Sequence, residues 1–332
     1  MEPQWVDGHL DLAYIAMRSG DIRTDSMDPS QRCVSLPALA RAQARLVVAT
    51  IFVERGDSAA HEPWGYRDER DWQGANRSAE LQMEYYETLE REGLIRIVRT
   101  CKELRDAPSC GALPVIILME GADPIRDARD LARWHARGVR MVGLTWALGS
   151  RFAGGNQTPG GLTSAGRELV AALDELHMLH DASHLNDASF ADLAGATSQM
   201  IVASHSNARA LLGANERHIT DDQAREIARR GGVIGLNLYG RFLAVDRPAL
   251  LEDAINHVVH LTALAQSHAL CALGSDLDGG FLPAGVPEGV RAPEQYGAIT
   301  RALADRGWNA DACEQFASRN WMRVFERVLS AH

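Results

Sequence analysis

Apolar positions along this chain gather into eight short, nearly unbroken runs: 5–9, 46–53, 113–119, 139–144, 178–182, 200–203, 233–238 and 270–273. The second reads Leu-Val-Val-Ala-Thr-Ile-Phe-Val, the pattern of a strand buried on both faces. Longer stretches of helical periodicity lie between the runs. They predict helices at 36–45, 77–91 (Leu81 and Tyr85 on one face), 123–137, 164–176, from Thr220 onward and at 250–266, with two more at 293–306 and 310–329. Gly138 stops one helix, and Thr220 with Gln223 forms a capping-box start for another. Residues 55–76 read as a long polar loop, 94–98 as an accessory strand and 149–161 as a Gly-rich loop. Short apolar strands alternating with crossover helices predict a parallel sheet. Eight of them point to an α/β fold, a (β/α)₈ TIM-type barrel with 1–332 as one domain.

Composition narrows the function. The 332 residues are 46% hydrophobic and 23% charged, as in an ordinary soluble protein. A net charge of -10, without clusters of Lys or Arg, speaks against nucleic acid or an anionic membrane as partner. Cys33, Cys101, Cys110, Cys271 and Cys313 are scattered, and no Cys-x-x-Cys pair occurs. Neither a disulfide framework nor a zinc–thiolate site is expected, and a reducing cytoplasm is the simplest compartment. No leader, lipid-anchor signal or spanning apolar run is expected either.

In a barrel of this kind the site lies where the strands end at their carboxyl side. His9 and Asp11 end the first run, Glu120 the third, His184 the fifth, His205 the sixth and Asp276 the eighth. In an extended chain His9 and Asp11 point to the same side, so nitrogen and oxygen converge as half of a divalent-metal site. Each residue alone has a structural reading: a satisfied buried histidine, the first solvated loop position, or a turn cap beside Gly279. Six such coincidences on one rim are less economical than one shared site. Three histidines with two or three carboxylates suit two metals of the zinc type with a bridging carboxylate. His177 and His180 read as structural, and His257 and His260 as surface or packing residues of a helix. His61, His135, His218, His268 and His332 lack ligand-like company.

These stretches resemble the membrane (renal) dipeptidase family of zinc metallopeptidases. The matching pieces are Asp7-Gly8-His9-Leu10-Asp11, Met119-Glu120-Gly121, Gly161-Leu162-Thr163 with Gly166-Arg167-Glu168, Asp181-Ala182-Ser183-His184, Ser204-His205-Ser206, residues 217–222 and Gly274-Ser275-Asp276-Leu277-Asp278-Gly279. They run in the family's order from residue 7 to residue 279. The resemblance implies the barrel, two zinc ions (or other divalent metals) and hydrolysis of dipeptides, often with a D-residue on the C-terminal side. It implies that His9, Asp11 and Glu120 hold one metal, and Glu120, His184 and His205 the other. A hydroxide shared by the metals would attack the peptide carbonyl. Arg217 would grip the substrate carboxylate, and Asp276 would pass the proton to the leaving amine. A homodimer of the bacterial cytoplasmic branch is also implied.

One departure stands out. After the fourth strand the family usually reads Leu-Thr-His, with the histidine contacting the scissile carbonyl. Here the run is Leu144-Thr145-Trp146. Trp146 then either changes what the substrate site accepts or packs on the rim of the barrel. Two other readings follow: the same machinery acting on another small amide or ester, or a metal-retaining protein that binds a ligand without turnover.

Overall fold

The computed structural model describes residues 3–26, 28–106 and 111–330. Eight parallel strands form the predicted barrel: Trp5–Leu10, Ala44–Phe52, Leu113–Glu120, Val139–Gly143, Leu179–Asp181, Ile201–Val202, Ile234–Leu236 and Cys271–Leu273. The first strand pairs with both the second and the eighth, Asp7 lying beside Val47 on one side and Leu273 on the other. A parallel bridge from Ala203 to Ile234 joins the sixth strand to the seventh and closes the ring. The accessory strand also forms: Ile95–Ile97 pairs in parallel with the start of the third strand.

Alternation along the strands divides the core in two. Val6, Val48, Ile116, Leu118, Met141, Leu179, Val202 and Ala272 belong to one cluster, which Trp321 and Phe325 of the last helix join. Val47, Ala49, Ile51, Ile117 and Val142 face the surrounding helices instead. Trp321 closes the amino end of the barrel, and its indole N–H donates to the Leu273 carbonyl at 2.8 Å. Gly8 makes room for it, since a Cβ there would lie 2.4 Å from the Trp321 ring. Glu120 is in phase with Ile116 and Leu118, so it points into the opposite mouth. The pairing of the first and second strands shifts register between Asp7 and Leu10, where His9 joins that inward set.

Several elements differ from the sequence expectation. The polar stretch after residue 54 is ordered: Glu54–Arg55 pairs with Gly65–Tyr66, and the next helix starts at Trp72, five residues early. Asp71 caps it by accepting from the Gly74 N–H at 2.9 Å. The helix expected over 123–137 is α-helical only at Leu131–Arg137, after a 3₁₀ turn at Ala128–Asp130. Asp127 starts that turn by accepting from Arg129 and Asp130, an Asx cap that competes with helix upstream. The last helix is broken by a π turn at Gln315–Arg319. Helices Leu12–Ser19, Cys101–Asp106 and Asp187–Ala196 were not anticipated; the third is Ala-rich and buries only Ser189, Phe190 and Leu193.

Candidate metal centre and substrate cavity

His9, Asp11, Glu120, His184 and His205 meet at the carboxyl mouth of the barrel, and all five are buried. Glu120 is central. One of its oxygens lies 3.0 Å from His184 Nε2 and 3.4 Å from His205 Nε2; the other lies 3.5 Å from His9 Nε2. His9 Nε2 is also 3.6 Å from an Asp11 oxygen. His184 Nε2 and His205 Nε2 face each other at 3.1 Å, and the His9 and His205 rings stack with centroids 3.6 Å apart. The donor atoms of His9, Asp11 and Glu120 fall into one group close enough to share an ion, and those of Glu120, His184 and His205 into a second. His9, His205 and Asp276 form a third such group.

The electrostatics fit a cation. Burial pushes the His184 pKa down to about 4 and His205 well below its usual value, so both keep free nitrogen lone pairs. Burial works the same way on His9, but the Glu120 and Asp11 carboxylates outweigh it and hold His9 well above. His9 Nε2 makes no hydrogen bond although it is fully enclosed. Two neutral imidazole nitrogens 3.1 Å apart beside a buried carboxylate are a donor set that suits a zinc-type ion.

Behind the donors stands a layer that the sequence reading did not single out. Ser204 Oγ lies 3.0 Å from His9 Nδ1 and 2.8 Å from His205 Nδ1, and donates to Asp181 at 2.6 Å. Asn156, from the Gly-rich loop, holds His184 Nδ1 at 3.2 Å. Thr50 bonds Asp11. The motifs carrying Asp181 and Ser204 were visible, but their role depends on strand ends that meet only in the fold. His184 and Asp276 both have left-handed backbones, φ 68° and 60°, a strain that clusters at functional sites.

Asp276 faces the same mouth. Burial pushes its pKa up to about 8, against the pull of His9 and with the help of Asp11 and Glu120. Asn237 donates to its Oδ2 at 2.8 Å. Asp278, the nearby alternative, is occupied elsewhere, accepting from the Cys33 and Val34 N–H groups at 2.9 and 2.7 Å. Arg217 is buried, its guanidinium fixed by Ser206 Oγ at 3.0 Å and the His205 carbonyl at 2.9 Å, with Nε unpaired. Both line a cavity of about 350 Å³ together with Glu120, His184 and His205. Trp146 lines it too, its ring 5.7 Å from His184 and 5.4 Å from Phe52. Tyr239, Phe242 and Phe281 are the other aromatic lining residues outside the Phe52 side. A slightly larger cavity around Cys33 and Arg41 holds none of these donors.

The remaining histidines are placed elsewhere. His180 pairs with Asp174 at 2.7 Å and His260 with Asp221 at 2.9 Å. His257 is buried and accepts from the Ala208 N–H at 3.1 Å, a packing role. His332 and Cys110 lie outside the described residues; the other four cysteines are free thiols. Among the described residues no helix is long and apolar enough to cross a membrane.

Known proteins are similar to this chain in sequence and fold. A metallo peptidase from Rhodobacter sphaeroides, solved with a phosphinate mimic of the dipeptide L-Ala-D-Ala, superposes with a TM-score of 0.84 at 26% identity, covering 99% of each chain. The uncharacterized protein in the pqqA 5′ region of Klebsiella pneumoniae is 33% identical over 248 residues, 70% of this chain and 89% of that protein. An uncharacterized dipeptidase of Schizosaccharomyces pombe is 27% identical over 214 residues, and the match spans 51% of its length. The profile described as Membrane dipeptidase (Peptidase family M19) matches residues 2–332. This chain therefore belongs to the membrane dipeptidase family, and it is a metallopeptidase.

Proposed function

We propose that the protein hydrolyses the peptide bond of dipeptides, including those with a D-residue at the C-terminal side, using two zinc ions. The observation that carries this reading is a single cavity lined by Asp11, Glu120, His184 and His205, with His9 buried against them, where a buried arginine and the Asp276 carboxyl also meet. His9, Asp11 and Glu120 would hold one ion, and Glu120, His184 and His205 the other. Zinc at such a site supplies a water of lowered pKa and a polarised carbonyl.

The chain's own residues do the rest. Arg217 presents a guanidinium already held by Ser206 and His205, and pairs with the free carboxylate of the substrate. That contact selects short peptides, whose carboxylate lies next to the scissile bond. Asp276 takes a proton at the carboxylate oxygen not held by Asn237 and delivers it to the leaving amine. A carboxylate raised towards neutrality serves in both directions. The phosphinate dipeptide mimic bound by the Rhodobacter sphaeroides relative supports the substrate class. Four free thiols support a cytoplasmic location, and a homodimer completes the reading.

Trp146 favours a second reading, the same machinery on a different small amide or ester, because it stands in the cavity wall where the family carries a histidine. Family membership favours an enzyme over a ligand-binding protein without turnover. The deciding experiment measures the metal content of the purified protein and assays L,L and L,D dipeptides with and without a chelator. Chelator-sensitive turnover supports the proposal. Metal-replete protein inert on every dipeptide, yet active on other amides or esters, overturns the dipeptide assignment.

A further inference from the structure

We infer that the Ser204 hydroxyl is a positioning residue that sets the tautomer of two metal ligands at once, one for each ion, and so primes both halves of the site. The inference rests on the metal reading of the site. Ser204 Oγ has three strong neighbours: Asp181 Oδ2 at 2.6 Å, His205 Nδ1 at 2.8 Å and His9 Nδ1 at 3.0 Å. A hydroxyl offers one proton and two lone pairs.

The proton is committed. Asp181 accepts at its other oxygen from the Ser183 and Ser204 N–H groups, at 3.0 and 2.8 Å, so donors converge on both of its oxygens. At 2.6 Å the Ser204 proton must lie on the line to Asp181. Both lone pairs then face the imidazoles, which donate from Nδ1–H at the two shorter distances, while the Ser183 hydroxyl stands further off at 3.3 Å. Both Nε2 atoms are thereby assigned to the metal side, where they approach Glu120 at 3.5 and 3.4 Å. Orienting groups of this kind fix the ring and raise the basicity of the ligand nitrogen.

The position of Ser204 is itself over-determined. A Cβ on Gly235 would fall 1.9 Å from the Ser204 carbonyl oxygen, and one on Gly274 1.8 Å away. The backbone of Ser204 therefore sits against two neighbouring segments that lack side chains at the point of contact.

The same clamp occurs a second time without histidines, which separates the two roles it might play. Asp7 accepts from the His9 N–H two residues on, from the Ser275 N–H and from the Ser275 hydroxyl, at 3.2, 2.8 and 2.5 Å. This repeats the pattern of Asp181 with Ser183 and Ser204. Ser275 Oγ, however, meets the Tyr296 hydroxyl rather than an imidazole. The Asp7–Ser275 clamp only ties strand ends together, whereas the Asp181–Ser204 clamp also orients ligands.

The test compares Ser204→Ala, Ser204→Thr and Ser275→Ala with wild type. The readouts are zinc affinity by competition with a chromophoric chelator, and the protonated nitrogen of His205 by imidazole ¹⁵N NMR on the metal-free protein. Ser204→Ala is expected to lose about 10–100-fold in affinity at both sites and to shift His205 towards the Nε2–H form. Ser204→Thr, which keeps the hydroxyl, should restore both, and Ser275→Ala should leave the His205 tautomer unchanged. Should Ser204→Ala not fold, Ser204→Cys, a weak acceptor of similar size, carries the same readouts. Wild-type affinity and tautomer in the Ser204 variant, or equal losses in Ser275→Ala, overturn the inference. Wild type that binds no zinc instead overturns the metal reading beneath it.

Discussion

His184 Nε2 and His205 Nε2 stand 3.1 Å apart, and each also approaches the same oxygen of Glu120. Each ring has a separate partner for Nδ1, Asn156 for His184 and Ser204 for His205, which frees both Nε2 atoms to face the carboxylate. A cation beside them, held also by Glu120, would turn the pair into a chelate.

The first prediction follows from this pair. Purified protein should contain about two equivalents of divalent metal per chain, as expected of a carboxylate-bridged pair of sites. His184→Ala removes a donor from only one of the two groups, so it should lose the ion at that group and keep more of the other. Elemental analysis of both proteins checks this. Loss of both ions together would show that the two sites do not fill independently.

Asp276→Asn should keep the metals and lose about 10²–10⁴-fold in kcat, because an amide cannot carry a proton between water and amine. Asn237 would still bond the side chain, so the geometry survives. The check is kcat at matched metal content. An unchanged kcat removes Asp276 from the mechanism, and Asp278 is a poor substitute because two backbone N–H groups already hold it.

Trp146→His should raise turnover of ordinary dipeptides by up to about 10²–10³-fold, the usual worth of one donor aimed at a developing oxyanion. Indole offers a single neutral N–H and fills more of the cavity than imidazole does. The indole packs between Phe52 and His184, so the smaller ring also opens the cavity wall. Comparison of wild type and variant on the same dipeptides decides it. If wild type is already fast and the variant no better, Trp146 is a packing residue.

A stability prediction concerns Asp123, buried beneath the loop that carries Trp146. Burial pushes its pKa from 3.8 up to about 6, against the pull of Arg55, Tyr66 and Arg151. A carboxyl with a raised folded pKa contributes stability that is fully present below 3.8 and is lost as pH rises through about 6. The size is about 3 kcal/mol at roughly 1.4 kcal/mol per unit. Asp123→Asn stays neutral, so its stability relative to wild type should rise between about pH 3 and about pH 7, a window that brackets both pKa limits. Urea unfolding of both proteins across that range reads the difference. A difference that does not change with pH would sink the prediction.

The sequence by itself determined the barrel and the candidate donors. Runs of apolar residues stop where strands leave the core, so the polar residues just past each run mark the rim: Glu120 comes first after its run, His184, His205 and Asp276 each follow a serine, and His9 ends the first run. Helices with strong amphipathic stripes or capping boxes were also legible, as at Thr220. The Ala-rich helix Asp187–Ala196 was not, because few apolar side chains mark its buried face. Only the tertiary structure decided how the donors are aimed. His9 and Ser204 are 195 residues apart and touch because the barrel closes. Asn156 reaches His184 because a Gly-rich loop folds back over the mouth. Trp146 enters the cavity wall by the same loop. Periodicity reports which face of an element is buried, a local property. The hydrogen bonds that orient a ligand are made between elements distant in sequence, and they exist only once the sheet has closed on itself.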